Sequence, residues 1–253
     1  MFRVYRNPVS TSPAGRVVPP LAPRALVLAL GVLVVLAAVS WFGQPRRSVP
    51  GSPVRDEVAA LLDAVEVVDE RTRAPGYERE CSGNSACVFG PAWSDTTGAP
   101  GAANGCSTRH DVLSRDLIGG TREDGAGCEV PGGVLTDPYT GRVIDAGTVG
   151  LRGIHVDHVY PLSAAWDLGA RAWPPARRAA FANDVDRNLL AVSASVNTGK
   201  SDSTPADWLP PDPGRHCFYA SRYLTAAVAY GLPVTAADHR ALAGAVRRCP
   251  DRP

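Results

Sequence analysis

Asp157 and His158 stand side by side in the run His155-Val156-Asp157-His158-Val159-Tyr160-Pro161-Leu162, and Asn188, Asn197 and Lys200 follow within about forty residues. A carboxylate is a hard oxygen donor suited to a divalent ion such as Mg²⁺ or Mn²⁺. An imidazole with an ordinary pKa near ~6.5 is available in its neutral form to take a proton from water. That combination suits hydrolysis of a phosphodiester. Asn197 can add a neutral amide oxygen to the same ion, and Asn188 and His155 are candidate supporting groups. Lys200 is the only lysine in the chain, and every other basic side chain is arginine or histidine. It is a candidate phosphate contact, with a solvated helix residue as the plainer reading. Arg109 is a second candidate, since the guanidinium fork fits phosphate oxygens; a salt bridge is its alternative.

These side chains need elements to hold them. Val54 to Ala74 spaces apolar residues for an amphipathic helix, and residues 75–105 read as a cysteine-stapled loop. Ser107 or Thr108 can cap a helix running to about Leu117. Strands are expected at Arg142–Ile144, Gly150–Tyr160 and Asn188–Val192. Helices are expected from Pro174 to Phe181, from about Ser193 to Lys200, and over 214–231 and 235–248. In a strand His155 and Asp157 share a face and His158 takes the other, unless the strand ends at Asp157. The fold class is α+β, in one domain over residues 56–253, with the site between about 150 and 205.

The N-terminal part has a different texture. Residues 1–24 are basic and proline-rich, 25–42 are apolar and uncharged, and 43–55 form a Pro/Gly/Arg/Ser linker. At 1.5 Å per residue, eighteen residues span ~27 Å, enough for a hydrocarbon core. Two readings fit. One is a signal anchor with a cytoplasmic leader, and the other is a signal peptide cut near Ala38 and Ser40. Both export the remainder, placing it on the cell membrane or in the secreted fraction.

All six cysteines lie in the exported part, and an even number there reads as disulfides. Locality favours Cys81–Cys87, Cys106–Cys128 and Cys217–Cys249. No pair has the two-residue spacing of a zinc knuckle. Residues 1–55 hold seven arginines and no acid. The rest therefore carries 19 of the 26 basic side chains and all 25 acidic ones, a net of −6. Such a surface lacks the broad positive field of a non-specific DNA binder, though local arginines can still engage a few phosphates.

The site resembles the HNH, or ββα-metal, nucleases. The residues that carry the resemblance are Asp157-His158-Val159-x-Pro161, Asn188-Leu189-Leu190 and Asn197-x-x-Lys200-Ser201-Asp202. A closer resemblance is to an exported bacterial subgroup of HNH proteins related to the nuclease domain of modification-dependent restriction enzymes. It rests on Cys106 to Leu113, Thr136 to Gly141, Phe181 to Asp184 and Pro205 to Pro211. The resemblance implies a ββα-metal core within a helical, disulfide-stapled domain. It implies that Asp157 and Asn197 hold one ion, Mg²⁺ or else Mn²⁺, that His158 is the general base, and that Asn188 orients the loop or the histidine. The implied substrate is DNA, with RNA as the second option. The gap from His158 to Asn188 is long for a compact unit, so a helical insertion over about 163–183 is expected to fold aside. The main alternative is a non-catalytic cell-surface module that keeps the scaffold for binding envelope or nucleic acid; another metallohydrolase, such as an envelope phosphodiesterase, is a third. There is no His-Glu-x-x-His helix and no Gly-x-Ser-x-Gly elbow, so peptidase and esterase chemistry is a poor match. Apart from nucleic acid and the membrane at 25–42, no partner is evident.

Overall fold

The computed structural model describes residues 52–81, 87–119 and 127–252. The leader, the apolar segment at 25–42 and most of the linker lie outside the described residues. Among the described residues no helix is long and apolar enough to cross a membrane.

Helix α1 (Arg55–Ala64) opens the domain and is followed by the short strand β1 (Val67–Val68). The helix is therefore shorter than its apolar spacing suggests. Val67 and Val68 leave it to pair in parallel with residues 234–235, and β-branched side chains tolerate that exchange well. Helix α2 (Thr108–Asp116) begins at Ser107, whose side chain accepts from the His110 backbone N–H. A small antiparallel pair follows, β2 (Val134–Thr136) with β3 (Val143–Asp145), and then the single turn α3 (Ala146–Val149).

The centre of the domain is an antiparallel pair, β4 (Ile154–His158) and β5 (Leu189–Ser193), with Asp157 opposite Leu190 and His158 opposite Leu189. Between them run α4 (Leu162–Asp167) and α5 (Pro175–Ala182). Proline fits the first turn of α5 because the N–H it lacks has no partner there. Helix α6 (Ala194–Lys200) starts directly after β5 and packs on both central strands. Helix α7 (His216–Tyr230) ends at Gly231, whose φ of 62° supplies the left-handed cap. Strand β6 (Val234–Thr235) precedes α8 (Ala236–Val246), which Thr235 and Asp238 open with a reciprocal capping box.

Two apolar clusters sandwich the central strands. Ile154, Val156, Leu189 and Ala191 join Val112 and Leu113 of α2 on one side. Leu190 and Val192 join the larger cluster around α7 and α8 on the other. Burial on both faces explains why β5 is apolar at nearly every position, while β4 alternates Ile154 and Val156 with His155 and Asp157.

The cysteines pair as Cys81–Cys87, Cys106–Cys128 and Cys217–Cys249. The last bond ties the start of α7 to the chain beyond α8. The fold is a mixed α+β domain with three disulfides.

Candidate functional site

Helix α6 and the end of β4 enclose a cleft of about 450 Å³ to which His155, Asp157, His158 and Asn197 all contribute. The strand runs on through His158 rather than stopping at Asp157. Even so, His158 borders the cleft, because it sits at the strand's last position, where the chain turns away towards Pro161.

Asp157 is 4% exposed, and both of its oxygens are engaged. Oδ1 accepts from Lys200 Nζ at 2.9 Å, and Oδ2 accepts from the Tyr139 hydroxyl at 2.6 Å. Lys200 is wholly buried and also donates to the His158 carbonyl at 2.9 Å. The lone lysine is thus an internal strut joining α6 to the end of β4. It does not line the cleft, which departs from its expected place against phosphate. Tyr139 lies in the turn after β2, anchored by Asp137, which accepts from the Tyr139 and Ser193 backbone N–H groups. Burial, together with the neighbouring Asp157 charge, pushes the Tyr139 phenol well above its ordinary value of 10. It therefore stays a donor at any working pH.

His158 is held from two sides. Its Nε2 lies 2.8 Å from the Ala182 carbonyl. A carbonyl can only accept, so Nε2 carries the proton. Its ring stacks on Trp93, with centroids 5.7 Å apart. Burial lowers its pKa to about 4, reinforced by Arg79 and Lys200 and opposed by the Ala182 hydrogen bond and Asp157. A neutral ring with Nε2 protonated presents its lone pair at Nδ1. The carbonyl that sets this tautomer ends α5, so the segment between the strands does not fold aside as expected; it returns to the site.

Asn197 and His155 meet across the cleft, with Asn197 Nδ2 3.5 Å from His155 Nδ1. Among the described residues no group donates to Asn197 Oδ1. Asn188 is fully buried and does not line the cleft. Its Oδ1 accepts from the Tyr160 N–H at 2.8 Å, and its Nδ2 donates to the Tyr160 carbonyl at 3.3 Å. The side chain thereby extends the strand ladder past His158 and fixes where β4 ends. Arg109 lies on α2, away from the cleft, and donates to the Leu151 and Ile154 carbonyls.

Three residues outside the sequence reading belong to this neighbourhood. Trp93 stacks on the histidine, and Tyr139 grips the aspartate. Arg79 lines the cleft and lies close enough to His158 to lower its pKa. Among the described residues its guanidinium has no ion-pair or hydrogen-bond partner. No sequence signal singles out Arg79 or Trp93, because both come from an irregular, glycine-rich stretch. Tyr139 falls within Thr136 to Gly141, a run that carries the family resemblance but assigns this tyrosine no role.

Among the described residues no three His, Cys, Asp or Glu side chains gather in a metal cluster. The donor set on offer is one carboxylate and one amide oxygen. Each Asp157 oxygen has a second lone pair beyond its hydrogen bond, and Asn197 Oδ1 is open to a ligand. Hard oxygens of this kind fit an ion that keeps most of its water, as Mg²⁺ does.

Residues 108–245 match the family described as the C-terminal domain of GmrSD restriction endonucleases. The chain belongs to that family. This GmrSD-type domain is also similar to an uncharacterized secreted protein of the fungus Arthroderma benhamiae. The two are 32% identical over 222 residues, which cover 86% of this chain and 98% of the relative. No solved structure matches. Membership makes the domain nuclease-related. The matched region spans α2 to α8, so it contains every expected site residue. Arg79 and Trp93 precede it.

Proposed function

We propose that the protein is a metal-dependent endonuclease of the HNH type, hydrolysing phosphodiester bonds in DNA, or in RNA as the second option, outside the cytoplasm. The observation that carries this reading is the state of His158. Its Nε2–H is committed to the Ala182 carbonyl, and its pKa of about 4 leaves Nδ1 free as a base in the cleft bordered by Asp157 and Asn197. The pairing of β4 with β5, with α6 following β5 and bordering the cleft, supports a ββα-metal core.

In this mechanism His158 Nδ1 takes the proton of the attacking water. Lys200 and Tyr139 hold the Asp157 carboxylate in one orientation. Arg79 meets the phosphate, a role that suits an uncommitted guanidinium better than the buried Lys200 or Arg109, whose guanidinium is engaged by the Leu151 and Ile154 carbonyls. Asp157 and Asn197 would hold one divalent ion, Mg²⁺ or Mn²⁺, which when bound neutralises charge on the phosphoryl and leaving oxygens. Export is supported by the three disulfides and by the name of the fungal relative. Whether the mature domain is secreted or stays on the membrane depends on residues 25–42.

The test is nicking of a supercoiled plasmid with Mg²⁺ or Mn²⁺. Cutting is expected to stop on addition of EDTA and in His158→Ala. Cutting that persists in His158→Ala removes this mechanism. One observation favours a second reading, a non-catalytic binding module: both Asp157 oxygens already have protein donors. Intact plasmid with every metal tried, together with retained nucleic-acid binding, would establish that alternative.

A further inference from the structure

Residues 168–183, which fill the gap between the two central strands, hold Arg171, Arg177 and Arg178 and no acid. The domain around them is acidic, with a net charge of −6 over residues 56–253. Among the described residues no carboxylate comes within ion-pair distance of these three guanidinium groups. The acids that bracket the stretch are taken up elsewhere, Asp167 by Arg71 and Asp184 by Arg187. Glu78 and Glu80 on the neighbouring loop pair with none of the three. Carbonyls and aromatic rings hold the arginines instead. Arg178 donates to the Val88 and Trp173 carbonyls and lies over the Trp166 ring, 5.6 Å from its centroid. Arg177 lies 4.4 Å from the centroid of Trp173 and donates to the Tyr230 carbonyl. These partners fix the position of each charge without neutralising it. A guanidinium has five N–H donors, so both keep some for a ligand. Arg171 is exposed, and its side chain makes no hydrogen bond among the described residues.

The patch is continuous with the cleft. Tyr77 and Leu162 line the cleft. Trp166 stands one turn beyond Leu162 on α4, and its ring lies 6.5 Å from that of Tyr77. Arg178 covers Trp166, and its Nη1 reaches the Arg171 carbonyl at 3.5 Å. A succession of unneutralised guanidinium groups therefore runs outwards from Arg79, past Arg178, to Arg171 and Arg177. Such a succession answers an anion whose charge repeats along its length. A small phosphodiester would fill the cleft and leave the outer arginines unused. We propose that this flank binds the phosphodiester backbone of a nucleic acid to one side of the scissile bond. The substrate is then a polynucleotide, held at phosphates beyond the one that is cut. The proposal rests on the nuclease reading for the phosphate in the cleft and adds the substrate class.

The test is binding by the full chain, without divalent metal so that nothing is cut. Fluorescence anisotropy follows a labelled DNA duplex about twenty base pairs long over a series of salt concentrations. Each arginine that neutralises a phosphate adds about 0.9 to the slope of log affinity against log salt. Arg171→Gln combined with Arg177→Gln is expected to flatten that slope by about 1.8, and to weaken binding at least about tenfold near 0.1 M salt. Both side chains are exposed, so the melting temperature should hold. Arg171→Glu, at a side chain with no partner to lose, is the second variant and should flatten the slope by about 0.9 or more. Arg247→Gln combined with Arg248→Gln removes the same charge at exposed positions near His216, the opposite end of α7 from Tyr230, and should leave the slope unchanged. Absence of DNA binding, an unchanged slope in the Arg171 variants, or equal flattening by the Arg247 and Arg248 pair each overturns the proposal. So does loss of attachment to phosphatidylglycerol vesicles in the Arg171 variants with DNA binding intact, which would assign the flank to a membrane. A flattened slope without plasmid cutting by the native chain leaves the flank standing and removes the nuclease. Cutting with an unchanged slope does the reverse.

Discussion

Replacing Lys200 by methionine tests whether the lysine is an internal strut. Methionine keeps the length of the stem and deletes the charge. In the native protein Lys200 is wholly buried, its Nζ 2.9 Å from Asp157 Oδ1 and 2.9 Å from the His158 carbonyl. Asp157 is itself 4% exposed. The variant leaves a carboxylate inside the protein with only the Tyr139 hydroxyl for company. Removing one partner of a buried pair costs about 3–5 kcal/mol, because the remaining charge is uncompensated. A urea dependence of roughly 2 kcal/mol per molar, ordinary for a domain of this size, turns that into a midpoint lowered by about 1.5–2.5 M. The assay is equilibrium urea unfolding with the disulfides intact. Asp157→Asn in the Lys200→Met background removes the stranded charge and keeps an acceptor for Tyr139, so it should recover part of the loss. A loss below about 1 kcal/mol, the value of a solvated surface pair, would refute the argument. So would a double variant as unstable as the sum of its parts.

Tyr139→Phe removes the 2.6 Å donor to Asp157 while keeping the ring in the cluster with Trp208 and Tyr219; about 1.5–3 kcal/mol of stability should go with it, read from thermal unfolding. The His158 pKa of about 4 lies below the ordinary 6.5. Between those values the unfolded chain binds a proton that the folded chain refuses, so stability falls as pH drops from about 6.5 to 4 and this contribution then levels off. The whole effect is at most about 3 kcal/mol, and it should vanish in His158→Phe titrated alongside the native protein. The same pKa places the acid limb of any cleavage rate that His158 limits near pH 4 rather than near 6.5. Replacing Cys217 and Cys249 together by serine opens a loop with a sequence separation of 32 residues, for which chain entropy predicts a loss of about 3–4 kcal/mol in urea unfolding.

Local pattern made much of this protein legible from its sequence. The strands at 154–158 and 189–193, the proline-opened helix and the two C-terminal helices follow from side-chain spacing and turn chemistry, which act over a few residues. The disulfides joined near neighbours, so locality sufficed to pair them. The dipeptide Asp157-His158 and the amide at 197 were visible because metal binding and proton transfer call for particular residue types. What those groups touch was not visible. Lys200 stood out as the lone lysine, but its partner lies 43 positions away, and no periodicity reveals that a cation is buried against it. Asn188 was expected to orient the loop or the histidine, and only the ladder geometry at Tyr160 shows what it holds. The pairing of residues 67–68 with 234–235 joins the two ends of the domain. Arg79 and Trp93 reach the site from loops that carry no pattern of their own. Residue type and short-range spacing determined which chemistry is available. Burial and the approach of distant segments decided which nitrogen of His158 holds the proton, which oxygens of Asp157 are occupied, and which cation is left unpaired beside the cleft. Those outcomes depend on desolvation and on hydrogen-bond partners that exist only once the chain has closed on itself.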